Sequence, residues 1–325
     1  MASLTVTGSR VPIEPQAVDA PLTKCAIFLT LAITNGDPNA IEKVQTGLSS
    51  VSNLAKNVSI RDLGANFACT AAIGSDVWDE VTSSKPRPAE LHPFKEFKGK
   101  THTAVSTPGD LFFHIRADRH DLCFEFERQL LDVFGSAVST VDETIGFRYF
   151  DTRDLLGFVD GTANPVGQAV SASTLVAAGQ GNDCAVGGSY VVVQKYLHDL
   201  NAWRKLPTEQ QERIIGRTKV ENVELDDTPA GQQMAHKSLA TVEDEDGNEH
   251  DILRDNMPFG SPGSSEFGTY FIGYSSKLWV TEKMLERMFV GEPEGMHDRI
   301  LDFSSPVTGA TFFAPSADVL DGLGG

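Results

Sequence analysis

Basic residues are scarce in this chain. It has 27 Lys and Arg against 45 Asp and Glu, a formal net charge of −18. A nucleic-acid binder needs a basic surface to displace counterions, and docking on anionic lipid needs one too, so neither partner is expected. The acidic excess serves solubility and draws cations mildly. Cysteine is equally sparse. Cys25, Cys69, Cys123 and Cys184 stand far apart and form no CxxC pair. That spacing excludes a zinc ribbon and any thioether-attached group, and it leaves buried, reduced thiols. No stretch approaches the roughly 20 apolar residues that span a bilayer. Met1 to Leu22 lacks a basic start followed by an apolar run, so a soluble, cytoplasmic protein is expected.

What the chain does have is enough apolar material for a large interior: 325 residues, 40% hydrophobic. That length favours two domains. Residues 1–22, rich in proline and polar side chains, read as an N-terminal arm. Lys24 to Ile33 and Ala65 to Gly74 are short apolar runs suited to buried strands, and Asp37-Pro38 opens a helical stretch to about Lys56 between them. Ser83 to Lys100 reads as a long loop. Gly109 to Ile115 is a third strand, Leu122 to Phe134 an amphipathic helix, and Val138 to Phe150 a return to strand. The second half repeats the order, with strands at Gly188 to Leu197 and Gly268 to Tyr274 and helices at Asp199 to Gly216 and Val280 to Phe289. Each half therefore follows the β-α-β…β-α-β pattern of a ferredoxin-like unit. The expected fold is α+β: two ferredoxin-like domains, 23–150 and 151–325, with their antiparallel sheets packed together. Residues 157–187 and 217–267 show little periodicity, and long irregular segments in a compact domain are often functional.

The distinctive residues lie in those segments. Gly157 to Pro165 reads GFVDGTANP, a tight backbone that holds Asp160 beside Phe158 and Val159. A lone Asp-Gly would be an ordinary turn carboxylate. Further on come RDNMPFG (254–260), EFGTYFIGY (266–274) and RILDFS (299–304). Together these resemble the dye-decolourising peroxidase family, in motifs running from about residue 145 to 315. Their order and spacing are most similar to the short, bacterial B subgroup.

The resemblance implies a haem b enzyme that reduces hydrogen peroxide and oxidises dyes, phenols or other small aromatic donors, with the haem mainly in the C-terminal half. Peroxide cleavage needs a group to relay one proton and a cation to stabilise the departing oxygen. By resemblance, Asp160 moves the proton, Arg254 stabilises the developing negative charge, and Asn256 adds a neutral hydrogen bond. The family places its axial histidine shortly upstream of this arginine. His236, in QMAHK, fits that spacing as the iron ligand, and His250, only four residues before Arg254, is its competitor. A haem histidine usually donates its other ring proton to a carboxylate. Asp298 stands at a position similar to the family's, with Asp302 as the rival. Arg217 is a candidate partner for a haem propionate through bidentate pairing. Trp203, Trp279, Tyr196 and Tyr270 are candidates for relaying oxidation to bulky donors, although aromatics are more often packing. Ala163 departs from relatives that carry a carboxylate there, which counts against manganese oxidation near the haem. The acidic run 243–246 reads as a solvated turn. No shell-targeting extension is recognised at the C-terminus, and a homo-oligomer is left open.

Two other readings remain. A haem-binding or trafficking protein would use the same pocket but has no need of an acid–base set. A nucleotide-binding oxidoreductase would draw on the glycines of 179–188, whose spacing does not fit GxGxxG between strand and helix.

Overall fold

The computed structural model describes residues 13–179, 183–229 and 231–324. Eight strands carry the architecture: β1 (Cys25–Ile33), β2 (Ala68–Gly74), β3 (Leu111–Ala117), β4 (Val138–Phe147), β5 (Ser189–His198), β6 (Met257–Ser261), β7 (Glu266–Ser275) and β8 (Ala310–Ala314). Three long helices accompany them: α1 (Ala40–Ser59), α2 (His120–Phe134) and α3 (Leu278–Phe289).

The N-terminal strands lie in the order β4-β1-β3-β2 and the C-terminal ones in the order β8-β5-β7-β6, every pairing antiparallel. Both orders are the ferredoxin-like one, in which each crossover skips a strand. The two sheets also meet at their edges. Phe259 of β6 bridges Gly146 of β4, and Phe312 and Phe313 of β8 pair with Gly74 and Ile73 of β2. The packed sheets expected from the sequence are thus joined into one closed ring of eight strands.

Period-2 alternation assigns the two faces. In β1, Ala26 and Phe28 point into the ring, where they meet Phe112, Val191, Val193, Met257, Tyr270, Ile272, Tyr274 and Phe312. Ile27, Leu29 and Leu31 point outward against α1 and α2, onto Val44, Leu48, Phe126 and Leu130. The interior also holds polar groups. Arg116 of β3 is fully buried and pairs with Asp255 and with the carbonyl of Ala17, and His114 Nδ1 lies 2.9 Å from Tyr274 OH. Of the expected arm, residues 1–12 lie outside the described residues. Gln16 is buried and spans β2 and the β8 end: its amide nitrogen donates to Ala71 O and Pro315 O, and its oxygen accepts from Ala71 N.

The structure departs from the expected elements in several places, each for a physical reason. The helix expected over Asp199 to Gly216 is two short ones, Leu200–Trp203 and Thr208–Ile215. Pro207 has no N–H to donate and biases the residue before it away from helix, so it separates them. Phe97–Lys98, inside the expected loop, pairs with Thr103–Ala104. β6 arises within the segment read as irregular. Its Pro258 is tolerated because β6 contacts β4 at a single bridge, so that side carries almost no ladder to break. β8 has no counterpart in the sequence reading. In the glycine-rich stretch 179–188, residues 180–182 lie outside the described residues, and the stretch leads into β5. Among the described residues no helix is long and apolar enough to cross a membrane.

Candidate active site

Outside the ring, on the face of the C-terminal sheet, the outward residues of β5 (Gln194, Tyr196, His198) and β7 (Thr269, Phe271) form the floor of a cleft. α3 supplies Thr281, Met284, Leu285 and Met288 as one wall, and Leu156, Phe158, Ile215, Ile252, Ile300 and Leu301 complete an apolar lining. The cleft holds about 990 Å³ of space, counting the part open to solvent. Asp160, Arg254, Asn256 and His236 also enter this largely apolar space.

The turn that presents Asp160 needs its glycines. Gly157 and Gly161 have φ of +96° and +75°, a region that only glycine enters freely. Asp160 Oδ1 accepts from Gly161 N at 2.7 Å. Asn256 Nδ2 donates to Asp160 Oδ2 at 3.1 Å, and Asn256 Oδ1 accepts from Ile272 N of β7 at 3.1 Å. The sheet therefore fixes Asn256, and Asn256 fixes the carboxylate. Arg254 lies two residues before Asn256 on the short strand Leu253–Arg254, paired with β7 through Gly273. Asn164, at the far end of the same turn, accepts from Arg254 N at 3.0 Å and donates to Arg254 O at 2.7 Å. Between Arg254 and Asn256, Asp255 turns inward to Arg116. Burial lowers the Arg254 pKa, and the charges of Asp160 and Asp251 offset part of that effect.

His236 begins the short helix His236–Leu239. Its Nδ1 lies 2.6 Å from Asp298 Oδ2, and the other oxygen of Asp298 accepts from Ile300 N at 3.0 Å. Asp298 is fully buried. Burial alone would lower the His236 pKa, but the Asp298 charge and hydrogen bond outweigh it and the net shift is upward. With Nδ1 committed to a carboxylate, Nε2 is the nitrogen left to act as a metal donor. Two further acid–base groups line the cleft. Burial pushes the Asp154 carboxyl up to about 7, against the hydrogen bond from Phe158 N and reinforced by Asp160. Burial takes His198 down to about 4; its ring nitrogens meet Thr269 Oγ1 and Ser304 Oγ. A second, shallower opening of about 440 Å³ reaches Asp160, Arg254 and Asn256 from another side, past Arg148, Tyr149 and Arg153.

Residues 15–148 match the family model described as Dyp-type peroxidase, N-terminal, and residues 151–319 match Dyp-type peroxidase, C-terminal. The chain belongs to the Dyp-type peroxidase family. The dye-decolorizing peroxidase of Rhodococcus erythropolis is 51% identical over 313 residues, 96% of this chain and 89% of that protein. DyPB from Rhodococcus jostii superposes with a TM-score of 0.90 at 52% identity, covering 97% of this chain and 100% of that one. A variant of DypB in complex with heme gives the same TM-score, with 96% and 99% covered. The encapsulated DyP-type peroxidase of Mycobacterium smegmatis is 50% identical, with a TM-score of 0.90 and coverage of 96% and 98%. The match to DyPB agrees with the B-subgroup resemblance.

Within this Dyp-type peroxidase, five of the six candidate site residues converge: Asp160, Arg254, Asn256 and His236 on the cleft, and Asp298 behind His236. Arg217 does not line the cleft. Its guanidinium is engaged with Asn222 Oδ1 at 2.9 Å, Asn222 O at 3.1 Å and Glu224 at 3.0 Å. His250 is also off the cleft, 2.9 Å from Asp244 and edge-on to Trp279. Asp302 meets His102, His297 and Arg299 instead of His236. Of the four aromatics weighed as relays, Trp203, Tyr196 and Tyr270 are buried and Trp279 is partly exposed. Sequence reasoning missed Asn164, Asp154 and His198. Asn164 was visible only as the Asn-Pro that ends a turn, and nothing in the sequence places Asp154 or His198 on a cleft wall.

Proposed function

We propose that this chain binds haem b in the cleft through His236 and uses hydrogen peroxide to oxidise small aromatic one-electron donors, dyes and phenols among them. The observation that carries this is the sharing of one apolar cleft by a carboxylate-backed histidine and an Asp–Arg–Asn set. The residues present fit the group. His236 offers Nε2, the walls are aliphatic and aromatic, and the buried amide nitrogen of Gln194 on the cleft floor has no partner. Haem, when bound, supplies an iron centre that takes two oxidising equivalents from peroxide and returns them one electron at a time.

The side chains divide the remaining work. Asp298 accepts the Nδ1 proton of His236, sets the ring's tautomer and increases the donor strength of Nε2. Asp160 takes the proton from one peroxide oxygen and returns it to the other, directly or through a water. Arg254 favours the peroxide anion and stabilises charge as the oxygen–oxygen bond lengthens. Asn256 holds Asp160 with its amide. Peroxide is small enough to enter by the shallower opening, which ends on these three side chains. Position 163 carries alanine and not a second carboxylate, so an organic donor is favoured over manganese.

The test is an absorption spectrum of the haem-loaded protein before and after one equivalent of peroxide. A Soret band that changes and then recovers on adding a reducing dye is expected. An Asp160→Asn, Arg254→Leu double variant should bind haem yet lose the response, since each group contributes roughly 10²-fold or more to such a step. Haem binding without any response to peroxide in the parent protein would overturn the proposal.

A further inference from the structure

A second set of side chains, outside the cleft, has the make-up of a metal site. His102 lies in the turn between the paired segments Phe97–Lys98 and Thr103–Ala104 of the N-terminal half. His297 lies just before the turn Arg299–Asp302 of the C-terminal half, and Asp302 ends it. His102 Nε2 is 3.0 Å and His297 Nε2 is 2.8 Å from the same oxygen, Asp302 Oδ1. The two rings meet edge to face with centroids 4.8 Å apart, and all three donor atoms lie within 4.8 Å of one another. Ligands around an ion with bonds of about 2.1 Å sit roughly 3.0–3.4 Å apart, so little movement would bring these atoms into one coordination shell. Arg299 Nε holds the other carboxylate oxygen at 2.6 Å, which leaves Asp302 as a single-oxygen ligand. The three side chains are partly exposed, between 15% and 27%, which leaves room for water to complete the shell.

We propose that His102 Nε2, His297 Nε2 and Asp302 Oδ1 bind a divalent transition cation of the zinc type. Two imidazoles and one carboxylate suit such a borderline ion and do not suit magnesium or calcium, which take oxygen ligands. Each ring binds as the neutral form with its proton on Nδ1. The net charge of −18 raises the local cation concentration. The ion would tie a turn of the first half to the segment that carries Asp298, the residue next to His297 and the partner of His236. The site does not depend on the haem assignment.

The haem-loaded protein, freed of loosely held metal with a chelator, is titrated calorimetrically with zinc and, separately, magnesium. One equivalent of zinc should bind, with no binding of magnesium at the same concentrations. Zinc should raise the thermal midpoint by a few degrees, because it binds the folded state alone. His102→Ala and Asp302→Asn should each weaken zinc at least tenfold. His250→Ala, which removes the separate pair with Asp244, should leave binding unchanged. Far-ultraviolet dichroism and the Soret spectrum report whether each variant is folded, and His297→Gln replaces any that is not. If one equivalent fails to bind, or binds equally to the folded variants, the two histidines serve only as hydrogen-bond donors to Asp302 and the proposal falls.

Discussion

Asp298 and Asp302 are four residues apart and chemically identical, yet the structure gives them different work. Asp298 is sealed behind His236, whereas Asp302 is shared among His102, His297 and Arg299. Exchanging Asp298 for Asn should therefore loosen haem roughly 10–100-fold, the usual cost of losing a carboxylate behind a ligand histidine. Asp302→Asn should leave haem retention unchanged. His236→Ala should lose haem on gel filtration while His250→Ala keeps it; the reverse outcome would move the ligand to His250. Asp154 gives a pH prediction. Its carboxyl, raised by burial to about 7, prefers the protonated form when folded and ionises near the ordinary carboxylate range when unfolded. Its contribution to stability is thus intact below about pH 4 and is lost as pH rises towards 7. In Asp154→Asn the amide oxygen can still accept from Phe158 N, so thermal midpoints of parent and variant should diverge in the variant's favour between those limits. Parallel curves would show that the carboxyl is not perturbed. At this scale Asp160, Arg254 and Asn256 were legible because they sit in contiguous motifs. Asn164 and Asp154 were not, because their partners are brought to them only by the folded turn.

Among the elements, β7 does the most positioning. It orders Asn256 through Ile272 N, pairs with Arg254 through Gly273, and presents Thr269 and Phe271 to the cleft. Its Gly268 lies against β5 so closely that an added Cβ would fall 1.7 Å from Tyr196 O. Gly268→Ala should push β5 and β7 apart at the cleft floor. It should lower stability by about 1–3 kcal/mol, the usual range for overpacking, and weaken haem binding with it; chemical denaturation and a haem titration would read both effects. The strands that the sequence revealed, β1, β3, β5 and β7 among them, are those with unbroken apolar or alternating runs. β6 was hidden by Pro258 and Gly260. The short helix that carries His236 has no amphipathic period to announce it, so His236 was reached as the candidate ligand through family spacing alone.

Over the whole molecule, the two halves share one interior. Phe28, Phe112, His114 and Arg116 from the first half fill the ring beside Tyr270, Ile272 and Tyr274 from the second. Arg116 also grips Asp255, which stands between Arg254 and Asn256. Asp255→Ala would leave a buried guanidinium without its counterion, a loss of about 3–5 kcal/mol, and should disturb Arg254 and Asn256 on either side of it. A fragment of residues 151–325 should fail to reach a cooperative fold, since half of its core would be missing; a sharp melting transition from that fragment would contradict this. Two ferredoxin-like units were readable from the repeated element order. Their closure was not, because it rests on three bridging pairs between strands far apart in the sequence.

That closure bears on how the protein behaves at high concentration. An open sheet ends in a row of unsatisfied N–H and C=O groups that can recruit a strand from another chain and seed a fibril. Here the bridges Phe259–Gly146, Phe312–Gly74 and Phe313–Ile73 close the ring and shorten such rows without removing them. Where β2 runs on past its short pairing with β8, the side-chain amide of Gln16 stands in for a missing strand and satisfies both the N–H and the C=O of Ala71. A Gln16→Ala variant would bare the backbone of Ala71 and should aggregate more readily at high concentration, which light scattering would read.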